Sequence, residues 1–558
     1  MKHWKHLLLG LLCAIPGVQP VVAQPAMDSV SILIEPEHKE IQIPSFPDRS
    51  VTIITHGAIG DGQTLNTKAF ADAVETCSQM GGGRVVVPAG IWLTGPIVLK
   101  SNINLYLEYG AVILFSKRLA DYPILPQPTP TSKNYSYPPM ISGFNLMNVA
   151  ITGNGIIDGN GDVWRPRKKE KYPLHEWEEI VSSGGVLNHT GSVWWPSKES
   201  LHGDEYSMAL KKKKLPVTAD DVKVMQEYLR PNLIELFGCK NVLFDGPSFQ
   251  NSPKYILYPT QCENVTIQNV ALRNPWNAQN SDGIDINACH DVLISHCTVD
   301  VGDDGICLKL GIPDIKRGWS VTCENVRIEN CTVFRAHGGF VIGSNTDGSA
   351  RNVVVQNCIF SGTDVGLRFK SGRNHTGIVE DIHIDGIRMK DIRGEAIVFD
   401  LNYENIPAAG DRVADTSAKV LEQKEKLPLF RNFTIKNVTC VGAQYAIRIN
   451  DLPECCVRNI AFKHLIIEAE RGLQCTNSEA VNFRDMHLLV HSGPACVLQD
   501  ANNISLDGVS ASGYEKVFLQ VNGARSKAIR LKNILALKKQ KQIVLGTECS
   551  PDVVKEEP

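Results

Sequence analysis

The chain has 558 residues, of which 43% are hydrophobic and 21% charged, and its formal net charge is −3. This balance argues against a nucleic-acid-binding protein, because such proteins usually carry a large excess of Lys and Arg. It leaves open a local basic cleft for an acidic substrate, because steering depends on local charge. The length suits either several ordinary domains or one large repetitive domain.

The N-terminal residues 1–23 have the pattern of a secretory signal peptide. Lys2 and Lys5 give a basic start, residues 7–15 are apolar, and "VVA" at 21–23 is a cleavage site of small residues. The apolar run is too short to span a membrane. The sequence therefore predicts export followed by cleavage.

Cys13 raises the alternative of a lipid-anchored protein. Leu12, however, is bulky at the position where a lipoprotein signal has a small residue, which disfavours this alternative. After cleavage, the mature chain would begin with an N-terminal extension, residues 24–49. No later stretch has the roughly 18 apolar residues that a transmembrane helix needs. We therefore expect an exported protein, periplasmic or secreted, without a transmembrane segment.

An amphipathic helix is predicted in "NTKAFADAVETCSQMGGG", residues 66–83. Asn66 or Thr67 can cap its start, and the glycines end it. A helix here would cover the open strand edge at the start of a stacked fold. Its apolar face consists of Ala69, Phe70, Ala73, Val74 and Cys77.

A short phrase recurs along the chain: Asn or Asp, then apolar and other residues in alternation, then Asn or a small residue. Each copy has the period-2 alternation of a half-buried strand. The copies are "NVAITGNG" at 148, "NVLFDG" at 241, "NVTIQN" at 264, "DVLISH" at 291, "NVRIEN" at 325, "NVVVQN" at 352, "DIHIDG" at 381, "NFTIKN" at 432, "NIAFKH" at 459, "NFRDMH" at 482 and "NISLDG" at 503.

A repeat of roughly 22–29 residues is long enough for three short strands and three turns, but it cannot bury its apolar side alone. Units of this kind must stack. The sequence therefore predicts an all-β fold, a single-stranded right-handed parallel β-helix over residues 50–540, with coils about 4.8 Å apart. A leucine-rich repeat has a similar period, but its Leu ladder is missing from this sequence.

Two segments interrupt the repeat and are predicted as inserted loops, residues 162–232 and 402–431. The first combines tryptophans with clusters of Lys and Arg, as in "WRPRKKEKYP" and "LKKKKLP". It is either a solvated surface decoration or the wall of a groove, with aromatic faces for sugar rings and cations for acidic groups. The polar tail, residues 541–558, is predicted to be flexible.

The cysteines fall at fixed positions of the repeat, which predicts stacked, buried thiols. Free Cys packs as a small hydrophobe. Stacked coils also bring Cα atoms within disulfide range, so one or two disulfides are an alternative. A zinc site is disfavoured, because clustered C-x-x-C pairs do not occur in this sequence. Four cysteines lie two positions before the repeat Asn or Asp: Cys239, Cys262, Cys289 and Cys323. Three lie six positions after it: Cys297, Cys331 and Cys358.

Three carboxylates lie where predicted strands meet turns, in "NSDG" and "GDDG". Asp282 and Asp303 are about one coil apart, so they should lie at the same angle on adjacent coils, with Asp304 beside them. Such a cluster is costly, since like charges resist simultaneous ionisation. Glycosidic hydrolysis needs it, because one carboxyl protonates the leaving oxygen while another activates water. Alternatively, each motif is an ordinary Asx turn.

Basic residues follow on the next predicted coils. "RAHGGFVIGS" places His337 at a turn, and "GLRFKS" places Arg368 and Lys370 on one side of a strand. Taken singly, each is more typical of a solvated surface residue. Together with the aspartates they are expected to face one groove, where two cations would suit a sugar that carries a carboxylate.

The motifs "NSD", "GDD", "HGG" and "RFK", in this order, resemble the motifs N-x-D, D-D, G-H-G and R-x-K of the polygalacturonases, glycoside hydrolase family 28. The resemblance covers roughly residues 50–535. It implies a right-handed parallel β-helix that hydrolyses galacturonic-acid linkages with inversion and without a metal or other cofactor. The implied substrate is a pectic polysaccharide or oligosaccharide.

One motif departs from the family pattern. In "AHGGFVIGS" the histidine lies one residue earlier relative to "IGS" than in the family's G-H-G-x-x-I-G-S, so a one-residue bulge would be needed to restore its place. By the resemblance, the site residues are the general acid Asp303, the water-activating pair Asp282 and Asp304, the supporting His337, the carboxylate clamp Arg368 and Lys370, and the substrate-contacting Asn280 and Tyr403.

Two other functions fit a β-helix. A pectate lyase would cleave by β-elimination, with calcium held by acidic residues, whereas a polysaccharide adhesin would bind without cleaving. Among hydrolases, the long inserted loops favour action from chain ends over action within the chain, because they can wall off an open groove. We expect a monomeric hydrolase that needs no cofactor and no metal.

Overall fold

The structure, a computed structural model, describes residues 40–127, 134–213, 215–311, 322–403, 427–454, 456–534 and 543–557. The predicted signal peptide, most of the predicted extension and residues 404–426 of the second predicted loop lie outside the described residues. Residues 40–49 precede the first strand and contain neither helix nor strand.

The chain winds into a parallel β-helix whose coils each add strands to flat faces, and the strands of successive coils pair in parallel. The first face consists of Ser50–Thr52, Gly83–Val87, Ile103–Leu107, Met147–Gly153, Lys240–Asp245, Glu263–Gln268, His290–Ser295, Thr322–Glu329, Ser349–Gln356, Ile378–Asp385, Leu429–Val441, Val457–Ala469, Glu479–Val490, Asn502–Asp507, Lys527–Lys532 and Val554–Glu557. The second face consists of Gly90–Thr94, Ala111–Phe115, Ile156–Asp158, Ser248–Gln250, Ala271–Arg273, Thr298–Asp300, Thr332–Phe334, Ile359–Ser361, Arg388–Lys390 and Ser510–Ser512, joined by the second halves of three long strands of the first face.

The third face carries the candidate site. It consists of Ile97–Val98, Ile141–Phe144, Ile234–Phe237, Leu257–Thr260, Ile284–Asn287, Asp304–Leu310, Gly338–Thr346, Val365–Lys370, Glu395–Asp400, Tyr445–Asn450, Arg471–Thr476, Cys496–Gln499, Leu519–Asn522 and Ile543–Leu545. Inward side chains of all three faces form one continuous apolar core. The predicted right-handed parallel β-helix is confirmed.

The repeat Asn and Asp residues explain why the phrase recurs. In the copies from 148 to 503, with one exception, this residue adopts a left-handed backbone with φ between 51° and 59°, a conformation that Asn and Asp tolerate better than most residues. Their side chains also bond between coils: Asn325 Nδ2 donates to Asp291 Oδ1 at 2.9 Å, and Asn352 Nδ2 to Asn325 Oδ1 at 2.7 Å. The exception is the copy read at 482, where the left-handed residue is Ala480, so that reading was wrong by two residues.

Replacing Asn325 by Ala is expected to destabilise the protein by about 1–3 kcal/mol, because the variant loses two inter-coil hydrogen bonds and keeps a strained backbone. Replacing it by Gly should cost less, because Gly adopts the left-handed conformation without strain. Urea unfolding of the two variants measures the difference. Equal losses for Ala and Gly would mean that backbone strain contributes nothing at this position.

The predicted capping helix is Thr67–Gln79, and its apolar face is buried as expected. It packs over the first coils, against Ser50–Thr52 and Gly83–Val87. The proposed capping by Asn66 is wrong in detail, because its side chain makes no capping hydrogen bond. The Asn66 amide instead bonds to Ile59, Thr64 and Leu93 and joins the helix entry to the first coil.

The seven cysteines predicted to stack are buried and carry free thiols, so core packing is confirmed for them. Neighbours in the stack lie one coil apart; the backbone N–H of Cys262, for example, donates to Cys289 Sγ at 3.3 Å. The alternative of a disulfide among these seven is therefore wrong. Cys13 lies outside the described residues.

The inserted segment 162–232 leaves the second face after Ile156–Asp158 and returns at Ile234–Phe237, as predicted. It is not a simple loop, because its non-repeating sequence folds into short elements outside the coils. Its helices are Leu174–Ser182, Lys198–Lys213 and Ala219–Val224, with 3-10 turns Gly161–Trp164 and Lys169–Lys171 and an antiparallel sheet of Arg167–Lys168, Val186–Leu187 and Val193–Trp195. Further short elements outside the coils are the 3-10 turns Ile53–His56 and Leu119–Asp121 and the strand pair Leu125–Pro126 and Tyr135–Ser136.

Two predicted boundaries are wrong. The second inserted loop was predicted to reach 431, but Leu429–Val441 is already a strand that pairs with the preceding coil. The tail was predicted to be flexible, but Val554–Glu557 pairs with Lys527–Lys532 and adds a further coil position. The second prediction was wrong because it relied on the polarity of the sequence. Among the described residues of the tail only Val553 is deeply buried, and the edge strand is largely exposed. Among the described helices, none is long and apolar enough to cross a membrane.

Candidate active site

Three aspartates meet at the start of two adjacent strands of the third face. Ile284 pairs with Ile306, so the register places Asp282 next to Asp304, not next to Asp303. The predicted coil length of 21 residues was one residue too short. Asp303 is therefore displaced toward the solvent, and its side chain is 20% exposed, against 3% for Asp282 and 2% for Asp304.

One carboxylate oxygen from each aspartate lies within 4.8 Å of the others. Burial and the charge of Asp285 raise the pKa of Asp282 well above its ordinary value. Burial would also raise the pKa of Asp304, but Lys370, Lys309 and Arg368 outweigh burial and hold this pKa well below its ordinary value. The three carboxyls thus titrate as a coupled group that retains a proton to higher pH than a lone aspartate would.

Two charged residues inside this cluster were missed by sequence reasoning. Lys309 Nζ lies 3.0 Å from Asp282 Oδ2, 3.6 Å from Asp285 Oδ1 and 3.7 Å from Asp304 Oδ2. Asp285 is fully buried, and burial raises its pKa to about 6 despite Lys309. A lone charge within an apolar strand, as in "GIDIN" and "GICLKLG", is the signal that could have identified both.

Arg368 and Lys370 project from one strand toward the aspartates, as their spacing predicts. Lys370 Nζ donates to Asp304 Oδ2 at 2.8 Å, and Arg368 Nη1 lies 3.6 Å from Asp304 Oδ1. The ring of Tyr403 lies beside both cations, 5.3 Å from the Arg368 guanidinium carbon and 5.3 Å from Lys370 Nζ. The structure therefore brings Tyr403 to the two basic residues.

His337 lies directly beside Asp303. Its backbone N–H donates to the Asp303 carbonyl at 2.9 Å, and its Nδ1 is 3.3 Å from Asp303 Oδ1. The one-residue offset of the histidine in its motif therefore does not remove it from the acid. The two glycines after it are required by packing, because a Cβ on Gly339 would lie 2.4 Å from the Phe360 ring.

The inserted segment supplies a lysine to this histidine. Lys171 Nζ lies 2.9 Å from His337 Nε2, and Asp364 Oδ2 lies 3.8 Å from Lys171 and 3.4 Å from His337 Nε2. An ammonium group can only donate, so Nε2 must accept and Nδ1 carries the proton that faces Asp303. Lys171 thus positions the ring and selects its tautomer.

Replacing Lys171 by Met is expected to lower kcat about tenfold with little change in KM, because His337 loses the partner that orients it. The exposed neighbour Lys169 serves as the matched control, since its replacement by Met leaves the histidine contact intact. Steady-state kinetics of both variants on an acidic polysaccharide measures the difference. Identical kcat values for the two variants would show that Lys171 does not position the histidine.

Asn280 bridges the aspartates and the inserted segment. Its backbone N–H donates to Asp303 Oδ2 at 3.1 Å, and its Oδ1 accepts from Arg230 Nη2 at 2.7 Å. Arg230 belongs to the end of the insert and was missed, as was Lys171. The insert has no repeat, so nothing in the sequence indicated which of its many basic residues reach the site.

The eight predicted site residues therefore lie together along the third face, in contact with Lys171 and Arg230 of the inserted segment. The aspartate oxygens are close enough to share a cation, but Lys309 and Lys370 already donate to them. Ammonium groups thus supply the positive charge that these carboxylates need. A protonated carboxyl beside ionised ones, with two further cations nearby, suits acid–base cleavage of an acidic glycoside.

Comparison with known proteins agrees with this geometry. The model of "Glycosyl hydrolases family 28" matches residues 174–425. The crystal structure of an exopolygalacturonase from Thermotoga maritima is 31% identical, covers 77% of this chain and 89% of its own, and has a TM-score of 0.63. A probable polygalacturonase of Vitis vinifera is 27% identical over 78% of both chains. An exo-poly-alpha-D-galacturonosidase of Dickeya chrysanthemi is 29% identical over 72% of this chain and 64% of its own.

Proposed function

Since this chain belongs to glycosyl hydrolases family 28 and is a glycosidase, we propose that it hydrolyses galacturonate-containing pectic chains from one end. The observation that carries this proposal is the cluster of three carboxylates beside two cations on the third face. The acidic substrate supplies the negative charge that Arg368 and Lys370 bind, and the aspartates supply the proton and the activated water.

In the proposed mechanism Asp303 protonates the glycosidic oxygen. It is the most exposed of the three aspartates and contacts His337, which supports this role. Burial and the charge of Asp304 raise the pKa of Asp303, but the hydrogen bond from His337 and the charge of Lys370 bring it below its ordinary value. A substrate carboxylate on Lys370 would cancel part of that charge and exclude water. Both effects raise the pKa of Asp303 and favour its protonated form.

Asp282 and Asp304 activate the water in this mechanism. They face each other on adjacent strands and share Lys309, which supports a water held between two carboxylates. We propose inversion on the basis of family membership. The short oxygen separation of 4.8 Å or less is nearer to the carboxyl spacing typical of retaining enzymes, so the anomer of the first product is a discriminating measurement. Inversion of an α-linkage releases the β-anomer.

Action from a chain end is supported by the inserted segment, which brings Lys171 and Arg230 to the groove. It is also supported by the exo-acting relatives from Thermotoga and Dickeya. Export of the protein is supported by the N-terminal pattern of residues 1–23. A wall beside the groove would leave room for only a short terminal portion of a polymer.

Product analysis on polygalacturonate tests this function. We expect early release of mono- or digalacturonate, saturated products without ultraviolet absorption, and full activity with EDTA. A ladder of mixed oligomers would contradict end-wise action. Unsaturated products and loss of activity with EDTA would instead identify a calcium-dependent lyase, and binding without products would identify an adhesin.

A further inference from the structure

A second group of cations lies on the N-terminal side of the aspartates. Lys254 and Tyr255 lie just before Ile256 and the strand Leu257–Thr260. Leu257 pairs with Ile284, so Tyr255 lies one coil before Asp282. Arg368 lies on the opposite side, three coils after Ile284–Asn287. Basic side chains therefore lie on coils both before and after the aspartate cluster.

Arg230 is held in place by neutral oxygens alone. Its Nη1 donates to the carbonyls of Gln279 at 2.9 Å and Pro253 at 3.3 Å, and its Nη2 donates to Asn280 Oδ1 at 2.7 Å. No carboxylate lies within ion-pair distance of Arg230 among the described residues. Its guanidinium is nevertheless close to Asp303, because Asn280 forms a hydrogen bond with each of these two residues.

Lys254 is similarly without an anionic partner in the described part of the chain. Its Nζ lies 4.6 Å from the ring centre of Tyr255, and Lys309 Nζ lies 5.7 Å from the same ring. The Tyr255 ring therefore lies beside both Lys254 and the lysine that bonds to Asp282. Arg230 Nη1 donates to the carbonyl of Pro253, the residue before Lys254, so the two basic residues are joined through the backbone. Burial and the charge of Arg230 lower the pKa of Lys254, whereas Glu235, Asp282 and Asp285 oppose this shift.

A third cation, Arg165, comes from the start of the inserted segment. Arg165 is only 6% exposed, its Nε donates to the Gly161 carbonyl at 3.0 Å, and its Nη2 has no acceptor among the described residues. Burial, opposed by Asp162 and reinforced by Arg230, lowers the pKa of Arg165 to about 10. Clustered cations in a half-buried place are unfavourable unless an anion offsets them.

We propose that Arg230 and Lys254 form a second carboxylate-binding site. It holds the uronic acid that lies beside the coil before Asp282, across the cleaved bond from the sugar bound by Arg368 and Lys370. This inference rests on the proposed function, and it specifies the substrate further. Arg368 and Lys370 bind the carboxylate of one sugar, and Arg230 and Lys254 bind that of a sugar on the other side of Asp303. The enzyme therefore requires free carboxylates on both sides of the bond and discriminates against methyl-esterified units at either position.

The insert explains why this site belongs to this chain. Arg165 lies near the start and Arg230 near the end of the insert, residues 162–232. Lys254 comes from the coil that follows. The guanidinium fork of Arg230 matches a carboxylate in two-point contact, and the Tyr255 ring offers a flat apolar surface beside the cations. A wall that also carries cations would bind the charged end of a polymer and stop it from passing through.

The test is steady-state kinetics of Lys254→Met on trigalacturonate and on its methyl ester. We expect KM for trigalacturonate to rise at least about tenfold, the usual size for one charge-assisted hydrogen bond, with a change in kcat below about twofold. Lys254→Arg should restore most of the affinity. Wild-type selectivity for the free acid over the ester should shrink by a similar factor in Lys254→Met, and higher salt should reduce the difference between wild type and variant.

Lys240→Met is the matched control, because Lys240 pairs with Glu263 on the first face, away from the groove. Arg230→Gln is the second variant; Gln keeps a donor for Asn280 but removes the charge, and it should raise KM in the same way. Unchanged KM and ester selectivity in both Lys254→Met and Arg230→Gln, while the wild type hydrolyses trigalacturonate, would overturn this site alone. A wild type that hydrolyses no galacturonide would instead overturn the proposed function.

Discussion

Replacing Asp303 by Asn is expected to lower kcat on polygalacturonate at least about a thousandfold, the usual loss when a general acid is removed. Asn has nearly the same shape and keeps an oxygen for the Asn280 N–H, but it has no acidic proton to transfer. Initial rates of reducing-end formation measure the loss. KM should change little, because the carboxylate-binding cations remain in place.

Asp300→Asn provides the comparison for this variant. Asp300 ends a strand of the second face only three residues before Asp303, and its carboxylate pairs with Arg335, not with the site. We expect it to retain near-normal kcat. Near-normal turnover in Asp303→Asn as well would reject Asp303 as the acid and direct attention to Asp282, whose raised pKa makes it the most readily protonated of the three aspartates.

Replacing Lys309 by Met is expected to destabilise the protein by about 3–5 kcal/mol at pH 7. In the unmodified protein the buried ammonium group of Lys309 offsets the charges of three aspartates, and the variant loses it. Burial would lower the pKa of Lys309, but Asp285, Asp282 and Asp304 raise it well above its ordinary value, so it is charged throughout the accessible range. Its removal leaves Asp282 and Asp285 without their nearest cation. Urea unfolding at several pH values measures the cost.

The pH dependence of this cost follows from the carboxyl groups. The depressed pKa of Asp304 contributes stability above the unfolded pKa, and this stability is lost as the pH falls. Asp282 and Asp285 have raised pKa values, so their ionisation opposes folding at higher pH. Lys309 lowers all three pKa values, so the deficit of the Met variant should be large at pH 7 and smaller near pH 3, where Asp282 and Asp285 are protonated and Asp304 still pairs with Lys370. Lys309→Arg, which keeps the charge, should show a much smaller deficit; equal deficits would mean that packing, not charge, is responsible.

The fold was predictable because its determinants are local and repeated. Left-handed Asn residues, alternating apolar positions and cysteines at fixed positions recur from coil to coil. Each further copy of the repeat therefore supports the same prediction of stacked coils. Register was predictable only to one or two residues. Turns between strands vary in length, and this variation placed Asp304 rather than Asp303 beside Asp282 and Ala480 rather than Asn482 in the repeat position.

The candidate site was predictable where its residues belong to the coils. The spacing of Arg368 and Lys370 on one strand predicted a shared direction, and both contact Asp304. The contributions of Lys171 and Arg230 could not be predicted, because the insert folds through long-range contacts that leave no period in the sequence. Two basic residues of the groove thus became identifiable only in the folded chain.

The most direct test of this account is a crystal structure of Asp303→Asn with a bound oligogalacturonate. We predict that a glycosidic oxygen lies within hydrogen-bonding distance of residue 303, with one sugar carboxylate on Arg368 and Lys370. An oligosaccharide bound along another face of the β-helix, or bound at this groove with its carboxylates directed away from both cations, would contradict it.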